Sequence, residues 1–181
     1  MKKALLTLPV LFLMVLLMAA RPFAEVELIK KRVLSERVEI LIPKGFDVMS
    51  EEQMDFNYAK SQSRPSVIYT NNKEVSLAFS YTDNTADQDM MDMYHDNFYK
   101  IYTKQYKEAK WFSHGVKEVS GRKVGYLELM KPELGRESYT FIFFTDVEGK
   151  LLMCTFTCAD RQKPEWENVA KQIMGSFKSN S

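Results

Sequence analysis

The chain has 181 residues, with 25 basic against 24 acidic side chains, two histidines and a net charge of +1. That balance excludes the clustered positive charge by which proteins grip nucleic acid or anionic lipid. The length suffices for one self-supporting core, which needs no disulfide or metal staple.

Met1-Lys2-Lys3 precedes an apolar run over residues 4–20, and Arg21-Pro22-Phe23-Ala24 follows it. A basic start, a greasy middle and a small closing residue form the layout of an export signal. As a helix the run would span about 26 Å, short of the bilayer core of about 30 Å, so a cleaved signal is favoured over a permanent span. The cut is expected after Ala24, with Ala20 as the alternative, because Pro22 fits the A-x-A pattern poorly. No Cys precedes Cys154, so this segment has no lipidation site. The expected organisation is a signal over 1–24 and a single domain over 25–181. The mature domain would then reside in the periplasm or outside the cell, tethered to the membrane only where the signal stays uncut. Loss of Lys2, Lys3 and Arg21 leaves 22 basic residues against 24 acidic ones, a mature charge of about −2. Neither nucleic acid nor stable membrane insertion is expected of it. The longest basic cluster, Lys30-Lys31-Arg32, is cut short by Leu34 and Glu36 and reads as a solvated strand edge.

Over 37–42, Val38, Ile40 and Ile42 alternate with polar residues, the period of a half-buried strand, and Pro43-Lys44-Gly45 ends it. Ser50-Glu51-Glu52-Gln53 is a capping box, with Met49 and Met54 as its staple, and predicts a short helix over 51–59. Strands are predicted over 66–70 and 75–81, joined by a tight turn at Asn71-Asn72-Lys73. Thr85-Ala86-Asp87-Gln88 is a second box, opening the longest helix, whose stripe is Met91, Tyr94, Phe98, Ile101 and Tyr102. Lys104 and Lys107 near its end complement the helix dipole.

Four strands follow, over 111–119, 124–130, 139–145 and 151–158. The first pair turns at Ser120-Gly121-Arg122, and Gly149 takes the left-handed position of a bulged turn in the second. In the last strand Cys154 and Cys158 share a face with Leu152 and Phe156, about 13 Å apart. A disulfide needs Cα atoms within about 7 Å, so both read as buried thiols. Pro164 suits the first turn of a closing helix, in which Trp166, Val169, Ala170, Ile173, Met174 and Phe177 form one apolar face. Helices interrupting antiparallel strands make the class α+β, a mostly antiparallel sheet covered by helices on both faces in an α/β/α sandwich.

On particular residues the chain resembles the PsbP-like fold family, which includes photosystem II PsbP, a Ran-binding nuclear import factor and the DcrB-like bacterial envelope proteins. The segment Val38-Glu39-Ile40-Leu41-Ile42-Pro43-Lys44-Gly45-Phe46 is similar to the family's opening strand, Pro, Gly and aromatic. So are Gly121-Arg122-Lys123-Val124-Gly125-Tyr126 leading into a strand, and a closing helix from Trp166 to Ser176-Phe177. The resemblance covers residues 33–178. It implies an α+β sandwich and a non-catalytic accessory or binding role, and it carries over no ligand or partner residues.

Met91 and His95 fall on one helix face at i, i+4, a soft pair suited to copper(I), yet Met91 is also needed by the core. Asp83, Asp87, Asp89, Asp92 and Asp96 make an acidic region without the central Gly of a calcium loop, explained by the helix dipole and solvation. Ser113 and His114 are neighbours on a strand, point to opposite sides and cannot pair as nucleophile and base. Glu128 and Glu133 are carboxylates whose separation the sequence does not fix. Tyr139, Phe141 and Phe143 line one strand face and Ile142 and Phe144 the other, which makes them core on both sides; a ligand pocket is the alternative reading. No catalytic, cofactor-binding or metal residue is assigned. The expected function is an exported, non-enzymatic accessory protein acting through an envelope protein partner. The alternatives are an envelope hydrolase with a dispersed site, or a carrier of a small apolar ligand or metal.

Overall fold

The structure is a computed structural model, and it describes residues 25–58, 64–71, 74–133 and 135–179. The expected signal over 1–24, Ala59 of the expected first helix, and Asn72 and Lys73 of the expected turn lie outside them.

Seven antiparallel strands form the main sheet: β3 (Asp47–Val48), β4 (Val67–Thr70), β5 (Val75–Thr85), β6 (Lys110–Val119), β7 (Arg122–Glu133), β8 (Arg136–Val147) and β9 (Lys150–Ala159). Their order is β3-β4-β5-β9-β8-β7-β6, so the short β3 and the long β6 are the two edges. A second antiparallel sheet joins β1 (Leu28–Val33), β2 (Val38–Pro43) and β10 (Lys178–Ser179). Three α-helices complete the described residues: α1 (Glu51–Tyr58), α2 (Met91–Gln105) and α3 (Lys163–Gly175).

Each face of the main sheet has its own apolar layer. On one side α3 and the small sheet bring Ile40, Ile42, Trp166, Ile173 and Phe177 against Phe79, Tyr139, Phe141, Phe143 and Phe156. On the other, α2 brings Met91, Tyr94, Phe98, Tyr99 and Tyr102 against Leu127, Leu129, Ile142 and Phe144. The α/β/α sandwich expected from the sequence is therefore present. The closing helix buries Trp166, Val169, Ala170, Ile173 and Met174; it ends at Gly175, so Phe177, expected on its face, is buried just beyond its end. Cys154 and Cys158 are free, buried thiols in the same layer, and burial raises both of their pKa values, that of Cys158 to about 12.

Several local expectations need correction. The small sheet and the edge strand β3 of the main sheet are new, because β1, β3 and β10 are too short or too charged to show a period. The cluster Lys30-Lys31-Arg32 lies inside β1, where Lys30 pairs with Glu39 of β2 at 3.1 Å and Lys31 lies over the Tyr69 ring. β7 extends past its apolar run by charged residues at both ends and β8 by Arg136 and Glu137 at its start, while β6 and β9 each gain one leading lysine. The box at Ser50 and Gln53 forms as read, each backbone N–H bonded by the other's side chain. The second box does not form. Thr85 ends β5, and Asp87 caps instead, accepting from the N–H groups of Asp89 and Met90. Gln88 reaches across to Lys123 and Asp146, pinning the start of α2 to β7 and β8. In α2 the stripe closes with Tyr99 in place of Ile101, which sits at its margin and stays exposed. At the β8–β9 turn Val147 pairs directly with Lys150, leaving a two-residue loop in which Glu148 and Gly149 both have positive φ. That is the pattern of a type I′ turn and not a bulged one.

Gly125 is demanded by packing. A Cβ there would overlap the Phe144 ring, whose edge is met by Phe98 of α2 with centroids 4.9 Å apart. The missing side chain lets the ring lie on the β7 backbone and carry the helix. Gly125→Ala is expected to lose about 1–3 kcal/mol by overpacking, measured by urea unfolding, and Phe144→Leu in the same chain to recover part of it.

Candidate functional site

The edge strand β6 carries the polar residues singled out in the sequence, and a bulge sorts them. Trp111 pairs with Leu129 and Ser113 with Glu128, so Phe112 is the extra residue and the alternation slips there. As a result Phe112 and Ser113 both face the α3 side, meeting Tyr139 and Glu128, whereas Trp111 and His114 face α2 and meet Tyr99. Ser113 and His114 are thus separated by the sheet, as the strand geometry required.

On the α3 side Glu128 is 2% exposed. Ser113 Oγ donates to its Oε2 at 2.6 Å, Tyr139 OH donates to Oε1 at 2.9 Å, and Lys171 Nζ of α3 lies 3.0 Å from Oε1. Burial pushes the carboxyl up, but those three hydrogen bonds and the Lys171 charge outweigh it and hold Glu128 below the usual carboxylate range. Burial and the facing Glu128 raise the Tyr139 hydroxyl far out of reach of ordinary pH, so it stays a donor. Lys163 stands over the Phe112 and Tyr139 rings. A carboxylate so saturated is a weak base, and Ser113 spends its proton on it. The arrangement anchors α3 to the sheet.

On the α2 side the chain's two histidines meet. His95 Nε2 lies 3.0 Å from His114 Nδ1, with the ring planes 15° apart. His95 Nδ1 lies 3.0 Å from Asp96 Oδ1. Tyr99 stacks on His114 at 4.0 Å between centroids, and Trp111 meets both rings edge-on. The His95 side chain is 13% exposed, and His114 is open to solvent.

The other candidates disperse. Met91 is wholly buried in the core and leaves His95 without a thioether partner. Asp83 pairs with Lys150, Asp92 with Lys123, and Asp87 is the helix cap. Glu133 pairs with Lys131 near the strand end, away from the Glu128 network. Tyr139, Phe141 and Phe143 are core, at most 1% exposed, and line no cavity of their own. A shallow cleft of about 690 Å³ lies at one end of the sheet, lined by Glu74, Arg136, Ser138, Asp160 and Arg161. Glu74 there pairs with both arginines. Among the described residues no cluster of three or more His, Cys, Asp or Glu side chains is placed to hold a metal ion, and no helix is long and apolar enough to cross a membrane. The sequence reading missed Lys171 and the meeting of His95 with His114, since both depend on register and helix docking.

Because Glu128 is held below its ordinary value of 4.5, its contribution to stability is present above that pH and is lost as pH falls through the folded value. Glu128→Gln is expected to flatten that acid limb in thermal unfolding measured across pH. Glu128→Ala, which strands three donors, is expected to cost about 3–5 kcal/mol.

Neither a family model nor any curated protein sequence matches the chain. Solved structures do. Cyanobacterial PsbP (CyanoP) from Synechocystis superposes with a TM-score of 0.61 over 89% of this chain and 97% of that one, at 13% identity. A Pseudomonas aeruginosa protein of unknown function, PA94, described as a putative regulator, gives 0.50 over 86% and 99%, at 15% identity. A Bacteroides thetaiotaomicron protein gives 0.52 over 84% of this chain and 48% of its own, at 11% identity. At such low identity the likeness is one of fold, and the chain has the PsbP-like fold.

Proposed function

We propose that this chain is an exported, non-enzymatic accessory protein of the cell envelope that acts by binding another protein. Residues 1–24 serve as its signal, and 25–181 fold as one domain in the periplasm or outside the cell. The observation that carries the binding role is on α1. That helix buries Met54 alone and presents Phe56, 89% exposed, to solvent, with Val48 of the neighbouring β3 55% exposed. An aromatic side chain left in water on a helix whose remaining surface is polar is the kind of anchor that protein interfaces bury. The Ser113–Glu128 pair supports the rival hydrolase reading less well, because Glu128 is already saturated and weakly basic.

Fractionation of cells expressing the tagged full chain is expected to place it in the envelope, shortened by the signal. Capture from envelope extract, read by mass spectrometry, is expected to recover a companion that Phe56→Asp loses while the melting temperature holds. A cytosolic location, or hydrolytic turnover abolished by Ser113→Ala, would reverse this assignment.

A further inference from the structure

We propose that His95 and His114 form a binding site for one divalent transition-metal ion, copper(II) above all. The chain has two histidines, and the fold brings them from 19 residues apart to ring nitrogens 3.0 Å apart, across the seam between α2 and the open edge strand β6. Asp96 accepts from His95 Nδ1–H, which leaves Nε2 as the lone-pair nitrogen. A carboxylate fixing the tautomer of a ligating imidazole is the recurring outer shell of metal-binding histidines. Tyr99 stacks on the His114 ring and Trp111 meets it edge-on.

The ligands select the metal. Two metal–nitrogen bonds of about 2.0 Å place their nitrogens about 2.8 Å apart at a right angle and about 3.3 Å apart in a tetrahedron. The 3.0 Å of the hydrogen-bonded pair lies between the two. Among divalent first-row ions it is copper(II) that imidazole nitrogen binds most tightly. In the unloaded pair one proton lies between the rings, on His114 Nδ1. On binding it moves to His114 Nε2, both rings turn their freed lone pairs toward the ion, and water fills the remaining positions. Both ligands stay neutral, and His114 stands open to solvent on the side from which an ion arrives.

The test uses the full chain as purified. Copper(II) is expected to remain at one equivalent after desalting, with a paramagnetic resonance spectrum split by two imidazole nitrogens. It should quench Trp111, whose ring lies 6.1 Å from His114, and spare Trp166, a buried residue of α3 in the layer on the other face of the sheet. His95→Gln and His114→Gln should each weaken binding at least tenfold, and Trp111→Phe should remove the quenching without removing the metal. A copper-binding amino terminus contributes equally to every variant and cancels. Affinity unchanged in both histidine variants, quenching that survives in Trp111→Phe, or a spectrum without imidazole splitting would overturn the proposal; the last readout holds even where a variant fails to fold.

Discussion

Strand β8 sets the terms for the whole molecule. Ten consecutive residues, from Ser138 to Val147, are buried, so apolar rings project from both of its faces. A strand of that kind is stable only between two covering layers. The single long helix α2 covers one face, and α3 with the small sheet covers the other. Burial of each large side chain is worth about 1.5–3 kcal/mol, so the two layers together supply most of the driving force. Gly125 and the Phe144 ring that crosses it show how closely the α2 layer is fitted.

The two polar constellations beside this core differ in kind. Glu128 is enclosed, and each of its oxygens is met by donors from a neighbouring strand or from α3. Such a network has both carboxylate oxygens engaged and offers nothing to a ligand. The histidines lie at the rim, where one ring has a carboxylate neighbour and the other has solvent. Burial with full satisfaction is the signature of architecture; nitrogen lone pairs at an open seam are a resource for chemistry.

What could be read in the residues follows from the range of the physics involved. The face of α3 and the alternation in β2, β5 and β9 are local patterns, and they survive intact in the fold. The Ser50–Gln53 cap is equally local and forms. The small sheet escaped because β1 is strand by virtue of its partner β2 and not of its own period. At the start of α2 two competing caps lay within three residues, and β5 claimed Thr85 for its own end. The cross-strand partners of Glu128, and the meeting of His95 with His114, depend on register, on the slip at Phe112 and on helix placement. No local pattern contains those.

The sheet's two margins have a consequence for how the molecule behaves in company. One rim, β3, is two residues long, too brief to template a neighbour. The other, β6, is ten residues long but kinked at Phe112 and studded with Lys110, Lys117 and Glu118. Kinks and charges of this sort keep open rims from recruiting foreign strands. A companion that meets the main sheet at either rim is thereby steered toward side chains and away from extending the hydrogen-bonded ladder.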